Sequence, residues 1–209
     1  MAGCETAPSK KKSVAIPQII IAPSANSGEK SLFNKKDLEG WAITDFGGHG
    51  GVRVENQEIK IDMGAELSGI AWTNSNLPKI NYEISLEAMK REGNDFFCAL
   101  TFPVHDSFCS LIVGGWGGSV VGLSSVDRMD ASENDTSKSL YFERNRWYRI
   151  RVRVTPEKIE AWIDDQKVVD LLSQGRKISM RPGEIERSQP LGIATWQTSA
   201  TVRNIKLAH

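Results

Sequence analysis

The stretch Arg146 to Asp170, RWYRIRVRVTPEKIEAWIDDQKVVD, decides the fold. Tyr148, Ile150, Val152 and Val154 alternate strictly with Arg149, Arg151 and Arg153. A period of two with β-branched residues is the pattern of a half-buried strand. Thr155-Pro156-Glu157-Lys158 then reads as a turn, with proline where its fixed φ fits. Ile159, Ala161 and Ile163 resume the apolar face. A turn over 155–158 sets Val154 opposite Ile159 and Val152 opposite Ala161. On the other face it sets Arg153 against Glu160, Arg151 against Trp162 and Arg149 against Asp164. Two ion pairs and an arginine on an indole fall together in this register, and a slip of one residue would mix the two faces. A second turn near Asp165-Gln166 leads into Lys167-Val168-Val169. The result is a three-strand meander with one apolar face, which a second sheet must cover.

Outward from this meander the chain offers strands at short intervals. They are Val52 to Val54, Gln57 to Asp62, Gly69 to Thr73, Ile80 to Met89, Asp95 to Phe102 and Phe108 to Val113. Ser119 to Ser124, Ser139 to Phe142, Leu191 to Trp196 and Thr201 to Leu207 follow. Few windows carry a helical period; the closest are Val168 to Gln174 and the polar Asp130 to Lys138. The expected fold class is therefore all-β, a single two-sheet antiparallel jelly-roll sandwich over residues 31–209. Residues 1–30 read as a disordered tail of Ser, Pro, Lys, Asn and Gly around one short apolar run, Ile16 to Ala22. The Gly-rich segment Gly47 to Gly51 lacks the ending of a phosphate loop and reads as a flexible connection.

Bulk chemistry excludes several functions. Lys plus Arg and Asp plus Glu both total 26 in 209 residues, so no net field favours nucleic acid or an anionic membrane. No run approaches the roughly 18 apolar residues of a membrane helix. Six Trp is high for this length, and Trp is a platform for the flat faces of sugars as well as a core filler. Ala2-Gly3-Cys4 followed by a polar tether resembles the end of a bacterial lipoprotein signal, without its apolar region. On that reading a lipid anchor at Cys4 is the one membrane contact and the protein is periplasmic or cell-surface; the other reading is a disordered start with a chance Cys.

Several stretches resemble one family. Leu32-Phe33-Asn34-Lys35-Lys36-Asp37-Leu38-Glu39-Gly40-Trp41 is similar to the opening "LFNGKDLxGW" of the 3-keto-disaccharide hydrolase domain family, also described as 3-keto-glycoside lyase/hydratase. Gly69 to Thr73 resembles its "GxLWT" strand, and Asn81 to Glu87 its "DFELxLE" strand. Trp147 to Val152 with Ala161 to Asp164 resembles its "WNxYxIxV…HWLNG" hairpin, and Val202 to Lys206 its closing "FRNIxI". The matches run from about Ser31 to Leu207. Two central strands depart: Asn94 to Phe102 replaces "NSGIxLR", and Phe108 to Gly118 replaces "YExQIxD". The resemblance implies a concanavalin A-like jelly roll and a carbohydrate ligand. It also implies elimination from a 3-keto-glycoside, in which a base removes the C2 hydrogen, an acid protonates the departing oxygen and an enolate is stabilised. The alternative is a non-catalytic carbohydrate-binding or adhesion module of laminin G-like or lectin type.

Candidates for this chemistry sit on or beside the departing strands. Asp95 begins a strand. His105 lies at the tip of the Phe102 to Phe108 connection, where a plain surface residue is the other reading. Asp127 and Glu133, with Asp130 and Asp135, form an acidic loop that offers a general base or simple solvation. No cofactor motif is present. A divalent cation at the acidic loop is the one metal reading, and the spacing does not match an EF-hand. Trp116, between two glycine pairs, reads either as a sugar-stacking residue reached across bare backbone or as a bend whose indole plugs the sandwich. Trp72 and Trp196 share that reading, whereas Trp147 is expected in the core. Cys98 and Cys109 are expected on neighbouring strands, as a disulfide or as two buried thiols.

Overall fold

The computed structural model describes residues 1, 3 and 28–209. The expected tail and its Cys4 therefore lie outside the described residues, apart from Met1, Gly3 and residues 28–30. Among the described residues fifteen strands form two antiparallel sheets. In chain order these are β1 (Lys30–Ser31), β2 (Trp41–Ile43), β3 (Val52–Glu55), β4 (Glu58–Ile61) and β5 (Leu67–Trp72). β6 (Tyr82–Gly93), β7 (Cys98–Val104), β8 (Ser107–Gly115), β9 (Val120–Ser124) and β10 (Lys138–Ser139) follow. The chain closes with β11 (Trp147–Val154), β12 (Lys158–Ile163), β13 (Gln166–Leu172), β14 (Gly192–Trp196) and β15 (Thr198–Ala208). One sheet runs β13-β12-β11-β6-β15-β4-β3, with β1 also on β15; the other runs β10-β9-β8-β7-β14-β5-β2. The meander thus covers its apolar face with a second sheet, as its alternation requires. Among the described residues no helix is long and apolar enough to cross a membrane.

The hairpin register is the one read from the turn: Val154 faces Ile159, Val152 faces Ala161, Arg153 faces Glu160 and Arg151 faces Trp162. The guanidinium of Arg151 lies 4.4 Å from the Trp162 ring centre. The third pair differs. Asp164 sits at φ 53 in the tight turn. Its carboxylate turns back to accept the Arg149 backbone N–H at 2.9 Å and Arg146 Nη2 at 2.7 Å. The Arg149 side chain reaches Asp165 instead, at 2.9 Å. Trp147 is on this outer face too, under Arg203 at 3.9 Å and not in the core, because alternation from Tyr148 turns it outward.

The helical spacing of Val168 to Gln174 has a different cause. A bulge between β12 and β13 pairs Ala161 with Val169 and Trp162 with Lys167. Val168 is left over as the extra residue, and both valines are buried. Two consecutive inward residues break a period of two and imitate a helix.

Arg153 bonds Glu83 Oε2 through Nε at 3.1 Å and Nη2 at 3.0 Å, with Glu160 farther off at 3.9 Å. Half-exposed pairs of this kind contribute about 0.2–1 kcal/mol. Arg153→Ala is therefore expected to lower the unfolding free energy from urea titration by no more than that and to leave sugar titrations unchanged. A large loss of sugar binding at constant stability would move the binding site to this outer face.

Candidate functional site

A groove of about 440 Å³ lies on the outer face of the sheet that contains β7 and β8. Alternation explains where it sits. Cys98, Leu100, Phe102, Cys109, Leu111 and Val113 point into the main core. Their neighbours Ala99, Thr101, Ser110 and Ile112 point the other way, beside Ala194 of β14 and Gly122 of β9. Small side chains keep this floor low. A Cβ at Gly69 would lie 2.3 Å from the Ile193 carbonyl oxygen, so β5 and β14 approach closely there.

Two loops build one wall. Residues 125–127 pair with 177–179: the Ser125 N–H donates to the Ser179 carbonyl at 2.6 Å and the Asp127 N–H to that of Lys177 at 2.8 Å. Asn134 is the hub of the acidic loop. Its amide group donates to the carbonyls of Leu123 at 2.7 Å, Met129 at 3.1 Å and Asp130 at 2.8 Å. The loop after β13 then crosses the sheet and places Arg181, Pro182, Glu184 and Ile185 on the groove. Glu184 opens a short 3-10 segment, Glu184–Ser188.

The opposite wall joins Asp95 to Trp116. A register shift between β8 and β9 near Gly115 ends the ladder. Trp116 takes φ 48 among Gly114, Gly117 and Gly118, all at positive φ. This left-handed run folds the turn back until the Gly117 N–H donates to Asp95 Oδ2 at 3.1 Å. Asp95 Oδ1 accepts the Phe96 N–H at 2.8 Å. The Asp95 N–H donates to the buried Thr198 hydroxyl at 3.0 Å, which fixes the connection between β6 and β7. Trp116 is 40% exposed. Its indole stands in the groove rather than plugging the sandwich. Behind this wall is the buried Lys90, whose pKa is lowered by burial and by the nearby Arg144 while Asp95 opposes the shift.

The structure therefore brings Asp95, Trp116 and Trp196 to one groove. Trp196 lies on its floor, 6.4 Å from Phe96. The other candidates are elsewhere. His105 tips the hairpin of β7 and β8 at the end away from Asp95, with its N–H on the Lys79 carbonyl at 3.1 Å. Seven residues of β7 separate them, roughly 20 Å of strand. Asp127 is held by the Lys177 N–H and by Arg176 Nε, at 2.8 and 2.6 Å, and these contacts lower its pKa. Arg176 also lowers the pKa of Asp135, which it meets at 2.9 Å. Arg176 thus pairs with two of the four carboxylates of the acidic loop. Glu133 is exposed outside the groove, and its carboxylate faces the Asp130 N–H at 3.4 Å. Among the described residues no three His, Cys, Asp or Glu side chains are placed to share a metal ion. Trp72 shares the inward face of β5 with Ile70 and meets Trp41 edge-on at 5.2 Å, closing the far end of the sandwich.

Cys98 and Cys109 do lie on neighbouring strands, but Cys98 pairs with Val113 and Cys109 with Phe102. Four residues of ladder, about 13 Å, separate them, beyond disulfide reach. Both are free and buried, and burial pushes each thiol up to about 12.

Arg181, Glu66 and Glu184 are groove residues that pattern reading misses. They come from irregular segments with no period, and the Arg181 loop is brought over the sheet by the pairing of 125–127 with 177–179 and by long-range ion pairs.

Residues 28–208 match the family of 3-keto-alpha-glucoside-1,2-lyase-like domains. No curated protein sequence matches the chain significantly. Among solved structures, the fold is similar to domain 4 of an extracellular arabinanase from Geobacillus stearothermophilus, determined with arabinotriose. That match has 13% identity and a TM-score of 0.55, and covers 87% of this chain and 91% of that one. A carbohydrate-binding module from Bacillus subtilis is similar at 14% identity and a TM-score of 0.51, over 80% of this chain and 94% of that one. At these identities the likeness is one of fold.

Proposed function

The chain belongs to the 3-keto-alpha-glucoside-1,2-lyase-like domain family, and on that premise we propose that its groove binds and cleaves a 3-keto-glycoside by elimination. The observation that carries this reading is the tie between Asp95 and the Trp116 turn. It sets a carboxylate beside an exposed indole on one wall of a groove whose floor mixes small and aromatic side chains. A sugar ring resting on Trp116 and Trp196 presents its edge to Asp95.

In the reaction, the C3 ketone acidifies the C2 hydrogen. Asp95 takes that proton, and the electron pair of the C2–H bond forms the enolate. Collapse of the enolate makes the C1–C2 double bond and breaks the bond from C1 to the glycosidic oxygen. That oxygen needs a proton as it leaves. Glu66, on the same groove and with no partner for its carboxylate among the described residues, is the candidate donor. Water adding across the new double bond gives net hydrolysis. Asp95 keeps lone pairs for this work, since a carboxylate has about four acceptor positions and two are taken by backbone N–H groups.

The binding-module reading retains one specific support: both Asp95 oxygens already hold backbone donors, which suits a purely structural carboxylate. Incubation with a 3-keto-disaccharide separates the two. Loss of the keto sugar with release of the second sugar is the expected result. Saturable binding with the substrate unchanged would establish the module instead.

A further inference from the structure

Arg181 is the one cation among the four ionisable residues that line the groove, the others being Glu66, Asp95 and Glu184. Its position is built from the floor upward. Ser124 of β9 donates its hydroxyl to Asp130 Oδ1, and the Ala131 N–H reaches the same oxygen at 3.0 Å. Asp130 Oδ2 accepts Arg181 Nη1. The Asp130 side chain is only 14% exposed whereas that of Arg181 is 57% exposed. The carboxylate is thus locked in the wall and the guanidinium projects from it. A guanidinium has five N–H donors, and Asp130 is the one hydrogen-bond partner of this group among the described residues. Its carbon lies 6.0 Å from the centre of the Trp116 ring, at the outer limit of cation–π contact. Arg181 therefore flanks the indole and does not cover it.

We propose that Arg181, positioned by Asp130, takes the carbonyl oxygen of the oxidised sugar and so makes the groove prefer 3-keto-glycosides over their parent glycosides. This rests on the functional reading above. A hydroxyl can be served by any acceptor or donor. An oxygen that gains negative charge when C2 loses its proton is stabilised by fixed donors, and most by a charged one; a pre-held group costs no reorganisation at that moment. With three carboxylates around it, the groove has Arg181 alone for that charge. Asp130 is a positioning residue, and Arg181 the contact.

The test is a ratio of affinities, titrating a 3-keto-disaccharide and its unoxidised parent against the full chain. Wild type is expected to prefer the keto sugar, whether or not turnover follows. In Arg181→Gln that preference should fall roughly 10- to 100-fold, the range for hydrogen bonds to a charged group, with affinity for the parent unchanged. Arg181→Lys keeps the charge but loses the fork and should lie between. Asp130→Asn should lower the preference while sparing the parent sugar; a merely structural role would lower both alike. Arg176→Gln cuts the other arginine tie of the same loops, to Asp127 and Asp135, and should leave the ratio intact. The proposal is overturned if Arg181→Gln retains the wild-type ratio or if Arg176→Gln lowers it equally. It is also overturned if Arg181→Gln loses affinity for a uronate-containing disaccharide and not for the ketone. A wild type without preference for the keto sugar overturns this proposal; one that also leaves the keto sugar unconverted removes the functional reading itself.

Discussion

Asp95→Asn is expected to lower turnover of a 3-keto-disaccharide by about 10²- to 10⁴-fold, the contribution of a positioned general base. The substitution is nearly isosteric, so the indole beside it should still bind sugar. It removes the basic oxygen and turns one acceptor into a donor. Either the Phe96 N–H or the Gly117 N–H then loses its partner, at a cost of about 1 kcal/mol. In a domain of this size that is a fall of roughly 2–4 °C in Tm. The two readouts separate catalysis from scaffolding. A rate unchanged beside a lower Tm would mean that Asp95 merely ties down the Trp116 turn. A rate lost in proportion to sugar affinity would mean that the turn had moved.

How far the sequence shows this site depends on how each residue reaches it. Trp116 announces itself, because glycines packed around one indole have few explanations in a strand. Asp95 is legible for a related reason: the stretch it begins departs from the family pattern, and although the strand itself starts only at Cys98, the partner strand ends at Gly115, at that same turn. His105 shows the limit of such reasoning. It lies in the same hairpin, between the two, and chemistry alone recommends it. A hairpin tip is by construction the end farthest from both strand termini, and the strand length puts roughly 20 Å between them. Its place at the tip is enough to separate it from the groove. Arg181 has no such local signal. Residues 173–190 carry no period, and their place over the floor depends on backbone pairing with the acidic loop. The arginines that pair with Asp127, Asp130 and Asp135 lie 41 to 51 positions away. For this reason the ion pairs that make the acidic loop one side of a wall are not visible in its own sequence.

The sandwich itself was far more legible, since alternation and turn chemistry act locally and both point to one register. The failures are equally local. β1 and β2 are two and three residues long, too short for a period to register. β1 exists because β15 offers an edge on which Lys30 meets Leu207. The bulge at Val168 made a strand look helical.

Phe97→Ala is expected to cost about 3–5 kcal/mol, the usual range for deleting a buried phenylalanine ring, and to lower Tm by roughly 10 °C. Phe97 is fully buried. Its ring meets Phe142 edge-on at 5.2 Å and Tyr148 at 5.8 Å, and those two meet at 5.1 Å. Aromatic contacts of this geometry add to simple burial, and three rings around one point leave a void that none can fill alone. The cluster also supports the site. A Cβ on Gly114 would be 3.2 Å from the Phe97 ring, so the turn that carries Trp116 rests directly on it. Phe96 is the internal control. As the neighbouring residue it faces the other way, into the groove against Trp196. Phe96→Ala should cost less stability than Phe97→Ala, since its ring is only partly buried, while weakening sugar binding more than Phe97→Ala does in the folded fraction. Urea titrations at constant m-value and sugar titrations well below the midpoint measure both quantities. Equal stability losses for the two variants would show that the groove face is packed like the core, and an open sugar site on it would no longer stand.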